Sequence, residues 1–427
     1  MEWKESIETP FGKIPDNWKV SRVKDEAIVV TDYVANGSFA SLAENVQYKN
    51  EEDYAVLIRL VDYNNNFNGN FVFISKESYD FLGKSKLFGD EIIISNVGAN
   101  VGTVFKCPHL KYKMSLAPNS VMVKFRGDND FYYYWLKSNG GQGMLHSIVT
   151  GSAQPKFNKT NFREMVIPVP PIETQLRIAA ILSSLDDKIE NNNRINRNLE
   201  AQAQALFKSW FVDFEPWGGI MPEDWKEYQL TEFAEIISGY SYKGAELLPS
   251  EDAMATIKNF DRKGYFKLDG YKEIQISGRL KNTQILNLFD VIVAHTDITQ
   301  QADIIGNPAI ILSKGGYRNI IMSMDLCKVQ PTHYAISSAF LYCLLKDIRF
   351  KSHALGYVNG TTVLHMSKKA LPEYRVFLPN DLSKVQELGD RLQNLYKRYS
   401  INLEESARLA ALRDTLLPKL MKGEIEL

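Results

Sequence analysis

The chain is poor in cysteine and has no long hydrophobic run. Cys107, Cys327 and Cys343 form no CxxC pair and no even-numbered framework, so we expect buried, reduced thiols in a cytoplasmic protein. No apolar run approaches the ~20 residues that a transmembrane helix requires, and the first residues lack the apolar segment of a secretory signal. We therefore expect no membrane association. The net charge of −1 disfavours a surface that is basic all over, but it is compatible with a local basic face.

The sequence also lacks the motifs of common catalytic centres. It contains no GxxxxGK(S/T) phosphate loop, no HExxH, no GxSxG and no Cys/His quartet for zinc. The segment "NPAI" at residues 307–310 resembles the Asn-Pro-Pro-aromatic motif of amino-methyltransferases. It lacks the second proline and the aromatic ring, and no glycine-rich cofactor motif precedes it. We predict a non-catalytic chain that binds no metal and no cofactor itself.

The chain repeats itself at about half its length. "IPDNWK" at residues 14–19 resembles "MPEDWK" at residues 221–226, an offset of 221 − 14 = 207. Four further pairs keep the same order at offsets of about 200 to 209: "LFGDEIII" with "NLFDVIVA", which pairs Asp90 with Asp290, "FYYYWLKS" with "FLYCLLKD", "VTGSAQPKFNK" with "VNGTTVLHMSK", and "VIPVP" with "RVFLP". Five collinear pairs indicate a duplicated half.

Each half has a strand-rich segment followed by a long helical one. Short apolar runs broken by Gly, Asn, Asp and Pro come first and predict mixed, strand-rich structure. Residues 172–214 and 381–421 then follow a heptad pattern, which predicts two helices of ~60 Å that pair as a coiled coil. The predicted seam consists of Leu182, Leu185, Ile189, Asn192, Leu199 and Leu206 in the first helix, and of Leu392, Leu395, Tyr399, Asn402, Leu409 and Leu416 in the second. Asn192 and Asn402 either fix the register or lie at a solvated edge of the seam.

Connectivity predicts how these parts are arranged. If the halves are related by a pseudo-twofold axis, the two helices run antiparallel, and both ends of the chain lie close together. The predicted fold class is α+β: two duplicated α/β domains separated by two long antiparallel coiled-coil helices in a circular arrangement. Two domains held at a set distance suggest a reader or a scaffold, since B-DNA repeats every ~34 Å along its axis.

Four segments carry a resemblance to a known family. They are "IPVPPIETQLRIAAILSSLDDKIE" at 167–190, "NLEAQAQALFKSWFVDFEPW" at 198–217, "SGYSYKG" with "IKNFDRKG" at 238–244 and 257–264, and "LRDTLLPKLMKGEI" at 412–425. In this order and spacing, the chain resembles the DNA-specificity (S) subunit of type I restriction–modification enzymes. One departure is that the second half has "LPNDLSK" at 378–384 where the first has "PPIETQ". We therefore expect the second methyltransferase contact either to be degenerate or to lie elsewhere on the helix.

The resemblance implies an organisation and a set of partners. Residues 1–171 and 217–379 would be target-recognition domains, and residues 172–216 and 380–427 would be the conserved helical spacers. Such a subunit recognises a bipartite, asymmetric site in double-stranded DNA. It holds two methyltransferase (M) subunits, which use S-adenosylmethionine to methylate adenine, and restriction (R) subunits, which use ATP and Mg²⁺. The chain itself would perform none of this chemistry.

Base readout requires polar side chains on loops that reach a groove of the DNA. The glycine-flanked polar loops of the two repeats supply the candidates, and "GYSYKG" adds three more. The predicted DNA-binding residues are Ser95, Asn96, Asn100, Ser152, Gln154, Lys156, Asn158, Lys159, Ser241, Tyr242, Lys243, His295, Thr296, Thr361, Thr362, His365 and Lys368. For each one the alternative is a polar loop residue that faces water or caps a turn.

Two other classes of function compete with this interpretation. The chain could be a self-contained DNA methyltransferase, which would require a cofactor-binding domain that the sequence does not display. It could also be a scaffold whose domains bind proteins and do not read DNA. Binding of S-adenosylmethionine by the isolated chain would favour the first, and a complex without any DNA sequence preference would favour the second.

Overall fold

The computed structural model describes residues 6–261, 266–299 and 301–425. The chain forms two compact units, of which the first comprises Met1–Asp187 and Ala410–Leu427 and the second Lys188–Leu409. Each of the two long helices is therefore shared between the units. Part of the "IKNFDRKG" segment, residues 262–264, lies outside the described residues.

The first unit contains short strands and helices that alternate irregularly. Its strands are β1 (Ser6–Thr9), β2 (Gly12–Pro15), β3 (Lys19–Arg22), β4 (Ala27–Asp32), β5 (Ala55–Ile58), β6 (Val72–Ile74), β7 (Lys86–Leu87), β8 (Ile92–Ser95), β9 (Val104–Lys106), β10 (Lys113–Leu116), β11 (Ser120–Phe125) and β12 (Val166–Val169). Its helices are α1 (Val23–Glu26), α2 (Phe39–Asn45), α3 (Leu60–Asn64), α4 (Lys76–Phe81), α5 (Asn129–Lys137), α6 (Asn139–Ser147), α7 (Lys159–Glu164) and the beginning of α8 (Ile172–Phe211).

Two four-stranded sheets organise this unit. One has the antiparallel order β4-β11-β8-β9, and the other has the order β6-β5-β10-β7, in which β5 and β10 are parallel. Strand β8 is apolar without alternation because both of its faces are buried. Strands β3 and β12 form a separate antiparallel pair.

The second unit has strands of similar number and length. They are β13 (Trp225–Gln229), β14 (Ala234–Ser238), β15 (Ala253–Ala255), β16 (Lys272–Glu273), β17 (Ile285–Leu286), β18 (Val291–Ala294), β19 (Thr296–Asp297), β20 (Pro308–Ile310), β21 (Ile320–Met322), β22 (Leu326–Pro331), β23 (Val358–Asn359), β24 (Leu364–Met366) and β25 (Arg375–Pro379). Its helices are α9 (Ser338–Lys346), α10 (Ile348–Leu355) and most of α11 (Ser383–Met421).

The topology of the second unit repeats that of the first. Its sheets have the orders β14-β22-β18-β20 and β16-β15-β21-β17, and the parallel pair is again the central one, β15 with β21. Strands β13 and β25 pair as β3 and β12 do. The duplication predicted from five sequence pairs is therefore confirmed by the strand order.

The structure corrects the alignment of the two repeats by one residue at one point. Glu91 and Asp290, each directly before a central strand, have equivalent backbone partners: the Glu91 carbonyl accepts from Cys107 N at 2.8 Å, and the Asp290 carbonyl from Ile311 N at 2.9 Å. Pairing Asp90 with Asp290 was wrong. Both Glu91 and Asp290 also accept hydrogen bonds from backbone N–H groups of the preceding turn through their carboxylates.

The two long helices, α8 with 40 residues and α11 with 39, run antiparallel where they touch. In the first unit, Arg413 Nη1 contacts Asp186 Oδ1 at 2.6 Å. In the second, Asn192 Nδ2 donates to Glu405 Oε2 at 2.8 Å. The first helix ends at Phe211, before the predicted residue 214, and Phe214 beyond it adopts a left-handed conformation with φ 54°.

The end of the chain packs beside its beginning in the first unit. Leu420 and Met421 belong to the same buried core as Ile14 and Trp18. A Cβ atom on Gly423 would lie 2.4 Å from Pro15 Cγ. The predicted proximity of the two ends is confirmed for the described residues, while residues 1–5 and 426–427 lie outside them. Within the described ranges, no helix is both long and apolar enough to cross a membrane.

Candidate nucleic-acid interface

Two predicted loops of the first unit lie against each other. Asn96 Nδ2 donates to the carbonyl of Phe157 at 3.0 Å, and Gly98 N donates to the carbonyl of Pro155 at 2.9 Å. Val97 and Lys156 form a further backbone bridge. Segments that are about 60 residues apart in sequence thus share one edge of the sheet, where β8 ends and β11 begins. We call residues 95–103 with 149–159 the first candidate surface.

Four predicted residues of this surface are engaged within the protein, and the first is Asn96, whose Nδ2 donates to Phe157 and whose Oδ1 is buried. Ser95 is buried in the central strand. Asn158 caps helix α7, because its Oδ1 accepts from Asn161 N at 2.7 Å. Lys159 Nζ is 2.9 Å from Asp32 Oδ1, and both side chains are largely buried. These groups shape the loops, and the charge of Lys159 is already compensated.

The side chains that remain exposed at this surface are Asn100, Ser152, Gln154 and Lys156. Three of them sit on the turn that begins at Gly151, whose φ of +88° favours glycine. Lys156 forms no ion pair with any described residue. Amide, hydroxyl and ammonium groups are therefore presented together, as DNA contact requires.

Predicted residues of the second unit also come together. Thr296 in β19 pairs with His365 in β24, and Met366 N donates to the His295 carbonyl at 2.9 Å. Ser241 Oγ lies 3.5 Å from Met324 Sδ, which brings the 241–243 segment to the same edge. We call residues 241–243, 295–297, 324–325 and 358–368 the second candidate surface.

The polar groups of this surface differ in their accessibility. His295 is half-buried, and its pKa is lowered first by desolvation and then by the nearby charges of Lys368 and His365. It is therefore neutral at pH 7 and can both donate and accept a hydrogen bond. Thr296 is buried and donates to Asp325 Oδ1 at 3.2 Å.

The remaining predicted residues lie on turns at the rim. Thr361, Thr362, His365, Lys368, Ser241 and Lys243 are exposed, and Tyr242 is half-buried. Gly360, with φ +119°, permits the turn, since a Cβ there would lie 2.2 Å from the Val363 carbonyl oxygen. The loop therefore depends on a glycine at this position.

The two candidate surfaces occupy equivalent places in their units. Asn96 N donates to the Asn119 carbonyl at 3.1 Å, and His295 N donates to the Asp325 carbonyl at 2.8 Å. Asn96 and His295 are thus structural counterparts that carry different side chains. At this position the Asn96 amide is turned into the protein, with Nδ2 bonded to Phe157 and Oδ1 buried, whereas the His295 imidazole is half-buried.

Sequence reasoning missed two residues that hold the second candidate surface. The buried carboxylate of Asp297 accepts from Thr299 N and Oγ1 through Oδ1, and from Ile304 N and Ile305 N through Oδ2, at 2.6 to 3.0 Å. Burial alone would raise the pKa of Asp297, but these donors outweigh it and the pKa is lowered. Its partners are mostly backbone groups, which leave no pattern in a sequence.

Lys351 on α10 holds the far end of the same loop. Its Nζ donates to the carbonyls of Ala302 and Ile305 at 3.0 and 2.6 Å and to Asn307 Oδ1 at 2.8 Å. Burial lowers the pKa of Lys351, while Asp297 opposes this shift. Asn307 opens the "NPAI" segment, whose last three residues form buried strand β20, so this segment belongs to the core.

Two asparagines of the predicted helical seam join α8 to α11 in the second unit. All twelve predicted residues are buried or half-buried. Asn192, 1% exposed, donates to Glu405, and Asn402 Nδ2 donates to Asn196 Oδ1 at 2.9 Å. The position of Asn192 is that of a buried polar layer and not of a solvated edge.

The described residues contain no group of His, Cys, Asp and Glu that could hold a metal ion. Burial raises the pKa of Cys327 and of Cys343 to about 12 and that of Cys107 further still. These thiols are protonated at neutral pH, and buried cysteines of this kind are unreactive.

Comparison with known proteins identifies the family. The family described as "Type I restriction modification DNA specificity domain" matches the chain twice, at residues 15–201 and 222–412. The MjaIX type I restriction enzyme specificity subunit of Methanocaldococcus jannaschii is 25% identical, over 98% of this chain and 96% of its own length. The HindI specificity subunit of Haemophilus influenzae is 38% identical over 105 residues, which are 24% of this chain and 22% of the relative.

A solved structure has the same fold. The S subunit of a type I restriction–modification system from M. genitalium superposes with a TM-score of 0.57 at 18% identity, covering 96% of this chain and 98% of that one. The likeness extends over both units. With two matches that together span most of its length, the chain belongs to the type I restriction–modification DNA specificity family.

Proposed function

We propose that this specificity subunit reads a bipartite, asymmetric site in double-stranded DNA, with one candidate surface for each half-site. The observation that carries this proposal is the structural equivalence of the two surfaces combined with their different side chains. Lys156, which bridges Thr150 in one unit, corresponds to His365, which pairs with Asn359 in the other, and both side chains are exposed. Equivalent backbones with different polar groups suit two different base sequences.

The proposal includes the partners of the family. Two methyltransferase subunits would bind the chain and use S-adenosylmethionine to methylate adenine, and restriction subunits would add ATP- and Mg²⁺-dependent cleavage. The target-recognition domains would be residues 1–171 and 217–379, and the spacers 172–216 and 380–427. We propose that the complex works in the cytoplasm.

Mapping N6-methyladenine tests this proposal. Cells that express the chain with its methyltransferase partner should carry the mark in a split motif, which gives both half-sites and the spacer. Exchange of residues 1–171 for another recognition domain should change one half-site only. A change in both half-sites would contradict modular reading, and methylation by the chain alone would favour a self-contained methyltransferase.

A second test addresses the residues themselves. Gln154→Ala and His365→Ala each remove an exposed side chain, and the two residues lie on equivalent loops of the two candidate surfaces. We expect each to relax the preference at one half-site, by about 1–3 kcal/mol if the side chain contacts a base edge. A scaffold that does not read DNA would show no sequence preference before or after either change.

A further inference from the structure

The second unit contains a cavity of about 370 Å³ beside the second candidate surface. It opens between residues 239–246 and residues 277–284. The residues that line it and bear on its chemistry are Tyr240, Lys243, Glu246, Ser277, Arg279 and Lys281.

Glu246 is the acidic residue among these lining groups, and its carboxylate is already occupied. It accepts from Lys243 N, Ser277 N and Ser277 Oγ, each at 2.7 Å, and from Tyr240 OH at 2.8 Å. The backbone N–H of Lys243, followed by the groups of Ser277, lowers the pKa of Glu246 to about 2. Glu246 thus fastens the two walls of the cavity together and is ionised at every physiological pH.

No acid among the described residues pairs with the three cations of the cavity. Lys243, Arg279 and Lys281 are exposed, and none forms an ion pair with a described residue. Against the single charge of Glu246, they leave two net positive charges. Arg318 in the same unit behaves differently, since Asp252 holds it at 3.0 Å.

The cavity adjoins the surface proposed to read DNA. Ser241, which also lines it, contacts Met324. The next residue, Asp325, accepts from Thr296 of the second candidate surface. A ligand strand that lies on this surface can therefore continue into the cavity.

The first unit has a different chemistry at the corresponding place. Strand β4 is the counterpart of β14 and ends at the equivalent position. After β4 the chain continues through Val34 and Phe39, which are exposed apolar residues. Lys49 in this unit is bound to Asp53.

We propose that this cavity binds a backbone phosphate of DNA and that Arg279 and Lys281 are its main contacts. Phosphate matches the excess positive charge, the fixed polar walls and the continuity with the second candidate surface. The inference rests on the proposed function and adds a backbone contact at the second half-site.

Salt dependence of binding by the assembled methyltransferase complex tests the proposal. Fluorescence anisotropy would give the Kd for a duplex with the recognised site and for an unrelated duplex at 50 to 200 mM salt. Arg279→Ala with Lys281→Ala should weaken both, because phosphate contacts carry no sequence information. Each phosphate contact that the substitutions remove should lower the magnitude of the slope of log K against log salt by about 1. The ratio of the variant's Kd to that of the unchanged complex should therefore fall roughly threefold per contact as the salt rises from 50 to 200 mM.

Two control variants separate charge from structure. Arg318→Ala removes an exposed but paired cation and should leave the slope unchanged. Arg279→Lys with Lys281→Arg keeps both charges and should retain most of the slope. A thermal unfolding curve of the double alanine variant that matches the unchanged chain shows that its fold is intact.

Three results would overturn the inference. An unchanged slope in the double alanine variant would refute the phosphate site and leave the proposed function standing. A changed sequence preference with an unchanged slope would mean that these residues read bases. If the unchanged complex bound no DNA, the proposed function would fail and the phosphate site with it.

Discussion

Substitution of Asp297 by asparagine should loosen the loop at the edge of the second candidate surface. The carboxylate uses Oδ1 for Thr299 and Oδ2 for the N–H groups of Ile304 and Ile305. Asparagine keeps the oxygen that faces Thr299 but has an NH₂ group in place of Oδ2. The N–H groups of Ile304 and Ile305 therefore lose their acceptor. Each costs about 1–3 kcal/mol when buried. Ile305 is fully buried and Ile304 half-buried, and we expect a total of about 3 kcal/mol.

Hydrogen–deuterium exchange measures this loss locally. A decrease of about 3 kcal/mol in the free energy of loop opening corresponds to roughly 100-fold faster exchange, since ~1.4 kcal/mol is a factor of ten. The amides of Ile304 and Ile305 should show it, whereas those of strand β22 should not. Asp269→Asn is the matched control, because the Asp269 carboxylate is 80% exposed and 3.9 Å from its nearest cation.

The pH dependence of the same loop has a defined sign. The pKa of Asp297 is lowered in the folded state, so its contribution to stability is present above the unfolded value of about 3.9. It is lost only as the pH falls through the still lower folded value. Protection should therefore be equal at pH 7 and pH 5, and an Asp297→Asn variant with normal protection at both would refute the reasoning.

Three other substitutions or reagents test the structure. Asn192→Leu should raise the free energy of unfolding by about 1–2 kcal/mol in urea, because Asn192 Oδ1 is buried without a described partner; a loss of stability would show that the buried amide is net stabilising. Gly360→Ala should lower the melting temperature through strain at φ +119° and contact with the Val363 oxygen, at about 1–3 kcal/mol; a neutral result would mean that the turn can rearrange. Cys327 and Cys343 should react with a thiol reagent only after denaturation, since burial raises the pKa of each to about 12; rapid labelling of the native chain would contradict their burial.

The sequence predicted the duplication and the long helices because both leave periodic signals. Five repeated pairs and two heptad seams depend on side chains of fixed type at fixed spacing. The one-residue error at Asp90 arose because Glu91 beside it is also acidic, and an acid at either position looks alike in sequence. Only the backbone partner, Cys107 for Glu91 and Ile311 for Asp290, distinguishes them.

The candidate surfaces were predictable in part for the same reason. Polar loops flanked by Gly151 and Gly360 stand out, and the structure brings each to the edge of a sheet. Lys351 did not stand out, because it binds carbonyl groups that every residue possesses. Arg279 lies in a segment with no recognised repeat partner, so sequence comparison within the chain could not select it.

The loops at the two candidate surfaces show how one scaffold can serve two sequences. Gly102 N and Gly306 N each donate to the last residue of the central strand, at 2.8 Å, so these glycines are equivalent. The loop that ends at the first of these glycines comprises residues 96–102. Its counterpart in the second unit comprises residues 295–306 and is five residues longer.

Each loop is fastened to the second of two adjacent helices by a different group. In the first unit, Gln142 Nε2 donates to the Gly102 carbonyl at 3.0 Å. In the second, the ammonium of Lys351 takes the corresponding role and the carboxylate of Asp297 closes the loop from its other side. The longer loop therefore has a charged clamp where a neutral amide suffices for the shorter one. Because loop and clamp differ together while the strands beneath are shared, the loop of either surface can vary without disturbing the other unit's core. A loop exchange of residues 297–305 that leaves Lys351 in place should alter the second half-site alone, and an effect on the first half-site would show that the two surfaces are coupled.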